Sequence, residues 1–323
     1  MSGPSIADLL NSDSGALFRS VRFIKTIDRL GPRLRDAEFW RTLNPDLTIS
    51  DRPPAQAGVV FENAWAQSEP VRRRLVREGV ATSPVIVPEG TRQQLTAAVE
   101  RLVAAGLPPG FVLVYDEFLQ LIAALMATWQ PLLGADVVMV PRDFWVFHVP
   151  AGDPLFDGTA AFGPHRDADA PDARLLAGEL PSILNIWLAL RDVSTDDSCM
   201  YVVPADADPD YRAEGRAVDA SRLRLQDVRA VPVSAGQVVM FDPHLIHWGS
   251  RSSSFASHAR VSLAGFIQRK DGPYPTTHTT DLAEPIRLER RLRWAMNSLA
   301  MVITLERCVE LARRIGLTDI TKP

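Results

Sequence analysis

Between Val137 and Arg269 the sequence breaks into short runs rich in β-branched and aromatic residues: VVMVP, FWVFHVP, SILNIWLAL, CMYVVP, QVVMF and ARVSLAGFI. Turn-forming clusters such as PAGDP, PADADPD and SAGQ separate them. Several short strands with irregular turns point to a sandwich or barrel. This stretch limits the fold more than any other portion of the chain.

Helical patterns flank it. Leu17 to Leu30, Asp36 to Leu43, Glu89 to Ala105 and Tyr115 to Leu133 carry apolar residues at helical spacing, whereas Ser50 to Gly58 (SDRPPAQAG) is loop chemistry. Ala283 to Ile315 reads as one long or kinked amphipathic helical segment, with Pro285 early and Gly316 late. No linker separates the helical and β regions. The expectation is therefore one domain over residues 1–323: a helical N-terminal region over 1–135, a β core at about 137–270 and a helical segment 283–318. Its class is α+β with a mainly β core, helices packing outside it.

The 323 residues, 46% of them hydrophobic, can bury a substantial core. The net charge of −4 offers no basic excess for a phosphate backbone, so nucleic acid is a poor partner. Cys199 and Cys308 are the only cysteines, far apart, which argues against a disulfide framework or a structural zinc site. The N-terminus lacks a basic start followed by an apolar run, and the apolar stretch from Phe118 to Trp129 is too short and interrupted to span a bilayer. A cytoplasmic protein without membrane partners is expected.

Three segments carry chemistry. In Gly163 to Pro171 (GPHRDADAP), His165 and Asp167 stand two residues apart and converge on one side of an extended segment while Arg166 points away. Alone, such a pair is more often a solvated turn than a metal grip. In Val233 to Ser250 (VSAGQVVMFDPHLIHWGS), a turn at Ala235-Gly236 feeds an apolar strand, and His244 and His247 follow it. A histidine here, joined to the first pair, would complete one face of an octahedron, as in the two-His-one-carboxylate oxygenases. His247 is the favoured ligand, with His244 supporting it or touching substrate. In His258 to Ile267 (HARVSLAGFI), Arg260 and Ser262 share one side of a strand. An arginine facing a barrel interior must find an anion, either a carboxylate ligand or an ion-pair partner on the wall.

HRD, LNIWLALRDVSTDDSCMYVVPADAD, GQVVMFDPHLIHWGS and ARVSL, in this order and spacing, resemble the phytanoyl-CoA dioxygenase-like branch of Fe(II)/2-oxoglutarate-dependent oxygenases. Asn185, Trp187, Leu190 and Asp192, then Ser198-Cys199-Met200, Val202 and Pro204, follow the family's pattern. The family's Gly-Ser-His after the proline is replaced by Ala205-Asp206-Ala207, and the position of Ser250 departs from the pattern. Over roughly residues 140–270 the resemblance implies a double-stranded β-helix, or jelly roll. It implies His165, Asp167 and His247 as iron ligands, Arg260 (with Ser262) on the distal carboxylate of 2-oxoglutarate, and Trp187 and Asn185 on the wall near the cosubstrate.

The activity so implied is oxidation of an unactivated C–H bond of a small metabolite, with O2 as cosubstrate and release of succinate and CO2, as an enzyme of specialised metabolism would perform. Asp167 favours hydroxylation over halogenation, because related halogenases have a small residue there that opens a chloride site. Desaturation, cyclisation and epoxidation use the same centre. Two rivals are a cupin-type dioxygenase that needs no oxoglutarate and a catalytically silent jelly-roll binding protein. His148 reads as a histidine bonded to backbone, and Arg142 and Arg251 as surface ion-pair residues. The basic run Arg287 to Trp294 reads as a solvated face, and the apolar side with Leu292, Ala295, Leu299 and Val302 as a cover for the barrel or a homodimer contact.

Overall fold

The expected β runs pair into two antiparallel sheets in a computed structural model that describes residues 14–54, 68–83, 87–134, 136–152, 163–167, 180–211, 218–275, 278–301 and 303–318. The larger sheet has the order β1-β6-β3-β8-β2, built from β1 (Val80–Thr82), β2 (Val137–Val149), β3 (Ile183–Ala189), β6 (Val238–Phe241) and β8 (Arg260–Arg269). The smaller has the order β5-β4-β7, from β4 (Met200–Val203), β5 (Arg229–Val231) and β7 (Ile246–Gly249). Trp187, Val239 and Phe241 of the first pack with Met200 and Val202 of the second in one buried cluster, so the sheets close on each other as a jelly roll.

Strand alternation divides the larger sheet into two faces. Leu184, Ile186 and Leu188 of β3 and Val261, Leu263 and Ile267 of β8 join the cluster that the helices bury. Trp187, Ala189 and Ala264 turn the other way, toward the small sheet. The runs VVMVP and FWVFHVP form one strand, β2, with a bulge: Val140 pairs with Phe266, and the next pairing is Trp145 with Ala264. Below the bulge Phe144 and Val146 face the helices.

The helices are α1 (Ser14–Leu30), α2 (Ala37–Leu43), α3 (Ser68–Glu78), α4 (Glu89–Ala104), α5 (Asp116–Leu133), α6 (Leu288–Asn297) and α7 (Leu305–Arg314). Their ends follow local chemistry. Asp36 caps α2 by accepting from Glu38 N at 2.9 Å, and Gly134 closes α5 in the left-handed region at φ 69°. One cluster runs from Ile27 of α1 through the outer face of the large sheet to Leu317 beyond α7. Within it Trp40 stacks on Phe111 (5.3 Å, 16°) and gives its indole N–H to Leu34 O at 2.7 Å.

Three expectations need correction. Ala283 to Ile315 is two helices, because Ser298–Met301 tightens into a 3-10 turn and the Thr304 side chain caps a new helix by accepting from Arg307 N. The basic run is not wholly a solvated face. Arg291 is fully buried, pairs with Asp116 at 2.5 Å, and donates to the carbonyls of Ile286, Val114 and Ser50. Helix α3 and strand β1 are additions to the expected elements. Leu292, Ala295 and Leu299 do cover the β core, in the same cluster as β8. Val302, residues 55–58 of the expected loop, the Arg142 side chain and the first 13 residues lie outside the described residues. Among the described residues no helix is long and apolar enough to cross a membrane.

Candidate metal centre

The approach to the site starts at the Ala235-Gly236 turn before β6. Gly236 has φ 88°, and a Cβ there would come within 2.9 Å of Val87 O, so the turn requires glycine. Asp192 fixes the same turn by accepting from Ala235 N at 2.8 Å. After β6, the buried Asp242 carboxylate accepts from His244 N (2.9 Å), faces His244 Nδ1 (3.0 Å) and accepts from Tyr211 OH (2.8 Å). Leu245 N returns to Asp242 O at 2.9 Å, which tightens this turn and delivers His247 onto β7.

His165 lies beside His247 as an added antiparallel pairing on the small sheet. His165 N donates to His247 O (3.2 Å) and His247 N to His165 O (3.0 Å), while Asp167 N donates to Pro243 O (3.0 Å). The two expected segments therefore meet through backbone bonds, and their side chains converge. One donor atom from each of His165, Asp167 and His247 lies within 4.8 Å of the others. Asp167 Oδ1 is 3.4 Å from His165 Nε2, and Oδ2 is 3.3 Å from His247 Nε2.

Both imidazoles are held in one tautomer. His165 Nδ1 donates to Gly163 O at 2.8 Å and His247 Nδ1 to Leu245 O at 3.0 Å, which turns Nε2 of each ring toward Asp167. Asn185 Nδ2 donates to Asp167 Oδ2 at 2.8 Å, so Asn185 orients the carboxylate. Burial pushes the Asp167 carboxyl up, but the two imidazoles and Asn185 outweigh it and hold it below the ordinary range. Burial lowers His247, whereas the Asp167 carboxylate outweighs burial at His165 and raises it. Two imidazole nitrogens and a carboxylate on one side of an open space suit a first-row divalent metal with free positions opposite.

That space is a cavity of ≈ 240 Å³ between the sheets, and Arg260 lines it with the three residues above. Arg260 is buried, lies 5.6 Å over the Phe147 ring and 5.8 Å over the Trp187 ring, and donates from Nη1 to Ser198 O at 2.6 Å. Burial pushes its guanidinium down to about 10. Among the described residues no carboxylate pairs with it, and its Nε and the Ser262 hydroxyl are buried without hydrogen-bond partners. A buried guanidinium and hydroxyl with unused donors fit a carboxylate ligand.

Sequence reasoning missed one contact beneath the centre. Arg166, between His165 and Asp167, is buried; its Nη1 lies 2.6 Å from Asp208 Oδ2 and donates to His244 O at 2.5 Å. The replaced Gly-Ser-His loop, just before Asp208, was the signal that this region differs. His244 faces Asp242 rather than the cavity, and His148 is not among the cavity residues. Ser250 N bonds Cys199 O at 2.9 Å.

The sequence profile of the family described as Phytanoyl-CoA dioxygenase (PhyH) matches residues 87–259, more than half of the chain. No curated protein matches in sequence. Among solved structures, the non-haem monooxygenase ThoJ in its apo form is 16% identical, with 75% of this chain and 99% of that one covered and a TM-score of 0.51. The epimerase SnoN, solved with Fe3+, alpha ketoglutarate and nogalamycin RO, is 20% identical over 63% of this chain and 84% of that one, with a TM-score of 0.48. AviO1 from Streptomyces viridochromogenes Tue57 is 19% identical over 64% and 97%, with a TM-score of 0.46. At such identities the likeness to ThoJ concerns the fold.

Proposed function

We propose a specific reaction for this chain, which belongs to the phytanoyl-CoA dioxygenase family of Fe(II)- and 2-oxoglutarate-dependent oxygenases: hydroxylation of an unactivated C–H bond in a small-molecule metabolite. The balance is substrate C–H plus 2-oxoglutarate plus O2, giving the alcohol, succinate and CO2. The residues proposed to hold iron are His165, Asp167 and His247, and the observation that carries this is the convergence of their donor atoms within 4.8 Å. Arg260 and Ser262 are proposed to bind the distal carboxylate of 2-oxoglutarate. The working unit is read as the single span 1–323.

Fe(II), once bound with 2-oxoglutarate and O2, supplies the oxidising power for C–H attack. The chain's own contribution is positional. Gly163 O and Leu245 O fix the imidazoles so that Nε2 of each is available. Asn185 keeps one Asp167 oxygen engaged, which steadies the carboxylate against rotation. Arg260, in a buried site flanked by Phe147 and Trp187, presents a strong and directional charge to the cosubstrate while the apolar walls limit water. Asp167 as the carboxylate supports oxygen transfer over halide transfer.

The test is to supply Fe(II), 2-oxoglutarate and 18O2 with a panel of small metabolites and analyse products by mass spectrometry. Hydroxylation gives succinate and a product heavier by one 18O atom, both lost in His165→Ala. Succinate formed with a dehydrogenated or cyclised product would replace hydroxylation by another outcome at the same centre.

A further inference from the structure

Among the described residues, Ser198 is the one residue other than glycine that holds a positive φ, at 62°. In that region Cβ crowds a backbone carbonyl oxygen, so the conformation persists only where the surroundings impose it. Here they do so from both sides. Before Ser198, the Asp197 carboxylate accepts from Ser194 N (3.1 Å) and Ser194 Oγ (2.6 Å), and Ser253 N donates to Asp196 O at 2.8 Å. After it, Ser250 N donates to Cys199 O at 2.9 Å. Ser198 itself is fully buried, and its hydroxyl donates to Ser250 O.

What this backbone delivers is a carbonyl. Ser198 O accepts from Arg260 Nη1 at 2.6 Å, and among the described residues this is the guanidinium's one hydrogen bond. The Phe147 and Trp187 rings, 5.6 and 5.8 Å away, limit the tilt of the guanidinium plane. A ring face sets no direction within that plane, whereas a hydrogen bond to a fixed carbonyl does. With Nη1 engaged, the edge formed by Nε and Nη2 is left for a ligand. Nε is buried without a partner, as is the Ser262 hydroxyl on the same face of β8. Two N–H groups on one guanidinium edge can take a carboxylate through two parallel bonds.

We propose that Ser198 is a positioning residue for the cosubstrate: its left-handed backbone, held by its own hydroxyl, fixes the rotation of Arg260 so that the Nε and Nη2 edge meets the distal carboxylate of 2-oxoglutarate. This deepens the reading of Arg260 given under Proposed function and rests on it.

The test compares two ligands on protein loaded anaerobically with Co(II), with metal uptake checked first for each variant. One is 2-oxoglutarate; the other is pyruvate, which offers the metal the same keto acid without a distal carboxylate. Calorimetry gives both dissociation constants. Ser198→Ala keeps Cβ and loses the hydroxyl, Ser198→Thr keeps the hydroxyl but branches at Cβ, and Ser198→Gly takes φ 62° without strain. The alanine and threonine variants are expected to weaken 2-oxoglutarate about three- to tenfold and leave pyruvate unchanged, and the glycine variant to recover most of the loss. In an Arg260→Met background, Ser198→Ala should have no further effect. If the alanine variant takes up no Co(II), the threonine variant is read in its place. Wild-type 2-oxoglutarate affinity in the alanine and threonine variants, a parallel loss of pyruvate, or a glycine variant weaker than the alanine one (the order a packing role gives) would each overturn the proposal. Unchanged 2-oxoglutarate affinity in Arg260→Met alone would instead overturn the reading of Arg260, and this proposal with it. A wild-type protein that takes up neither Co(II) nor 2-oxoglutarate would overturn the metal-centre reading itself.

Discussion

Arg166 and Asp208 form an ion pair of 2.6 Å with both side chains almost wholly buried, and Arg166 sits between His165 and Asp167, two of the proposed ligands. The same guanidinium donates to His244 O, in the turn that delivers His247. One side chain therefore ties together the segments that carry all three proposed ligands.

Removing this tie should loosen the centre. Asp208→Asn and Arg166→Met are expected to weaken Fe(II) or Co(II) affinity by about 10- to 100-fold, the range seen when groups supporting metal ligands are lost. Metal titration checks this, with thermal unfolding of the metal-free variants alongside. A fall in stability with unchanged metal affinity would make the pair a structural ion pair only.

Arg260 should set function against stability. In the metal-free protein its buried charge has aromatic faces and one carbonyl as company, and no carboxylate among the described residues. Arg260→Met is therefore expected to stabilise the ligand-free fold by roughly 1 kcal/mol or more. It should also cut 2-oxoglutarate affinity on the order of 100-fold, because the carboxylate then has no buried cationic partner. Urea unfolding and calorimetric titration of 2-oxoglutarate measure the two effects separately.

Asn185→Leu removes the donor that steadies Asp167 Oδ2 while keeping similar volume. Metal affinity should fall about tenfold. Circular dichroism should show the fold unchanged, because Asn185 lies within the extended ladder of β3 between β6 and β8.

Arg291 anchors α6 to the start of α5 and to the chain after α2 through Asp116, Val114 O and Ser50 O. Arg291→Ala leaves Asp116 as a buried unpaired carboxylate and should cost about 3–5 kcal/mol in urea unfolding. The double change Arg291→Met with Asp116→Leu should recover much of that loss, since neither buried charge remains.

The proposed centre was legible only from four segments taken together in the order that resembles the family, since each signal alone reads more blandly. A two-residue spacing put His165 and Asp167 on one side, and strand alternation separated Arg260 and Ser262 from Val261 and Leu263. The Ala235-Gly236 turn marked the start of β6. What escaped depends on partners distant along the chain. Arg166 could be read as pointing away from the ligands, but nothing in its neighbours announced Asp208. Arg291 sits in a run of charges that resembles a solvated face, and only the packing of α6 against the 3-10 turn Pro109–Val114 just before α5 shows it buried. Strand β1 has three residues, too few for periodicity, and exists because Val80 to Thr82 pair with Val239 to Phe241.

The central claim, that His165, Asp167 and His247 hold an iron to which 2-oxoglutarate binds through Arg260, is met most directly by a visible spectrum. Metal-free protein is mixed with Fe(II) and 2-oxoglutarate under argon. The account predicts a weak charge-transfer band that needs both components, disappears in His165→Ala, and requires far more 2-oxoglutarate in Arg260→Met. Iron binding without the band would contradict the oxoglutarate assignment and favour a cupin-type centre. A protein that binds no iron would contradict the metal centre and leave a jelly-roll binding scaffold.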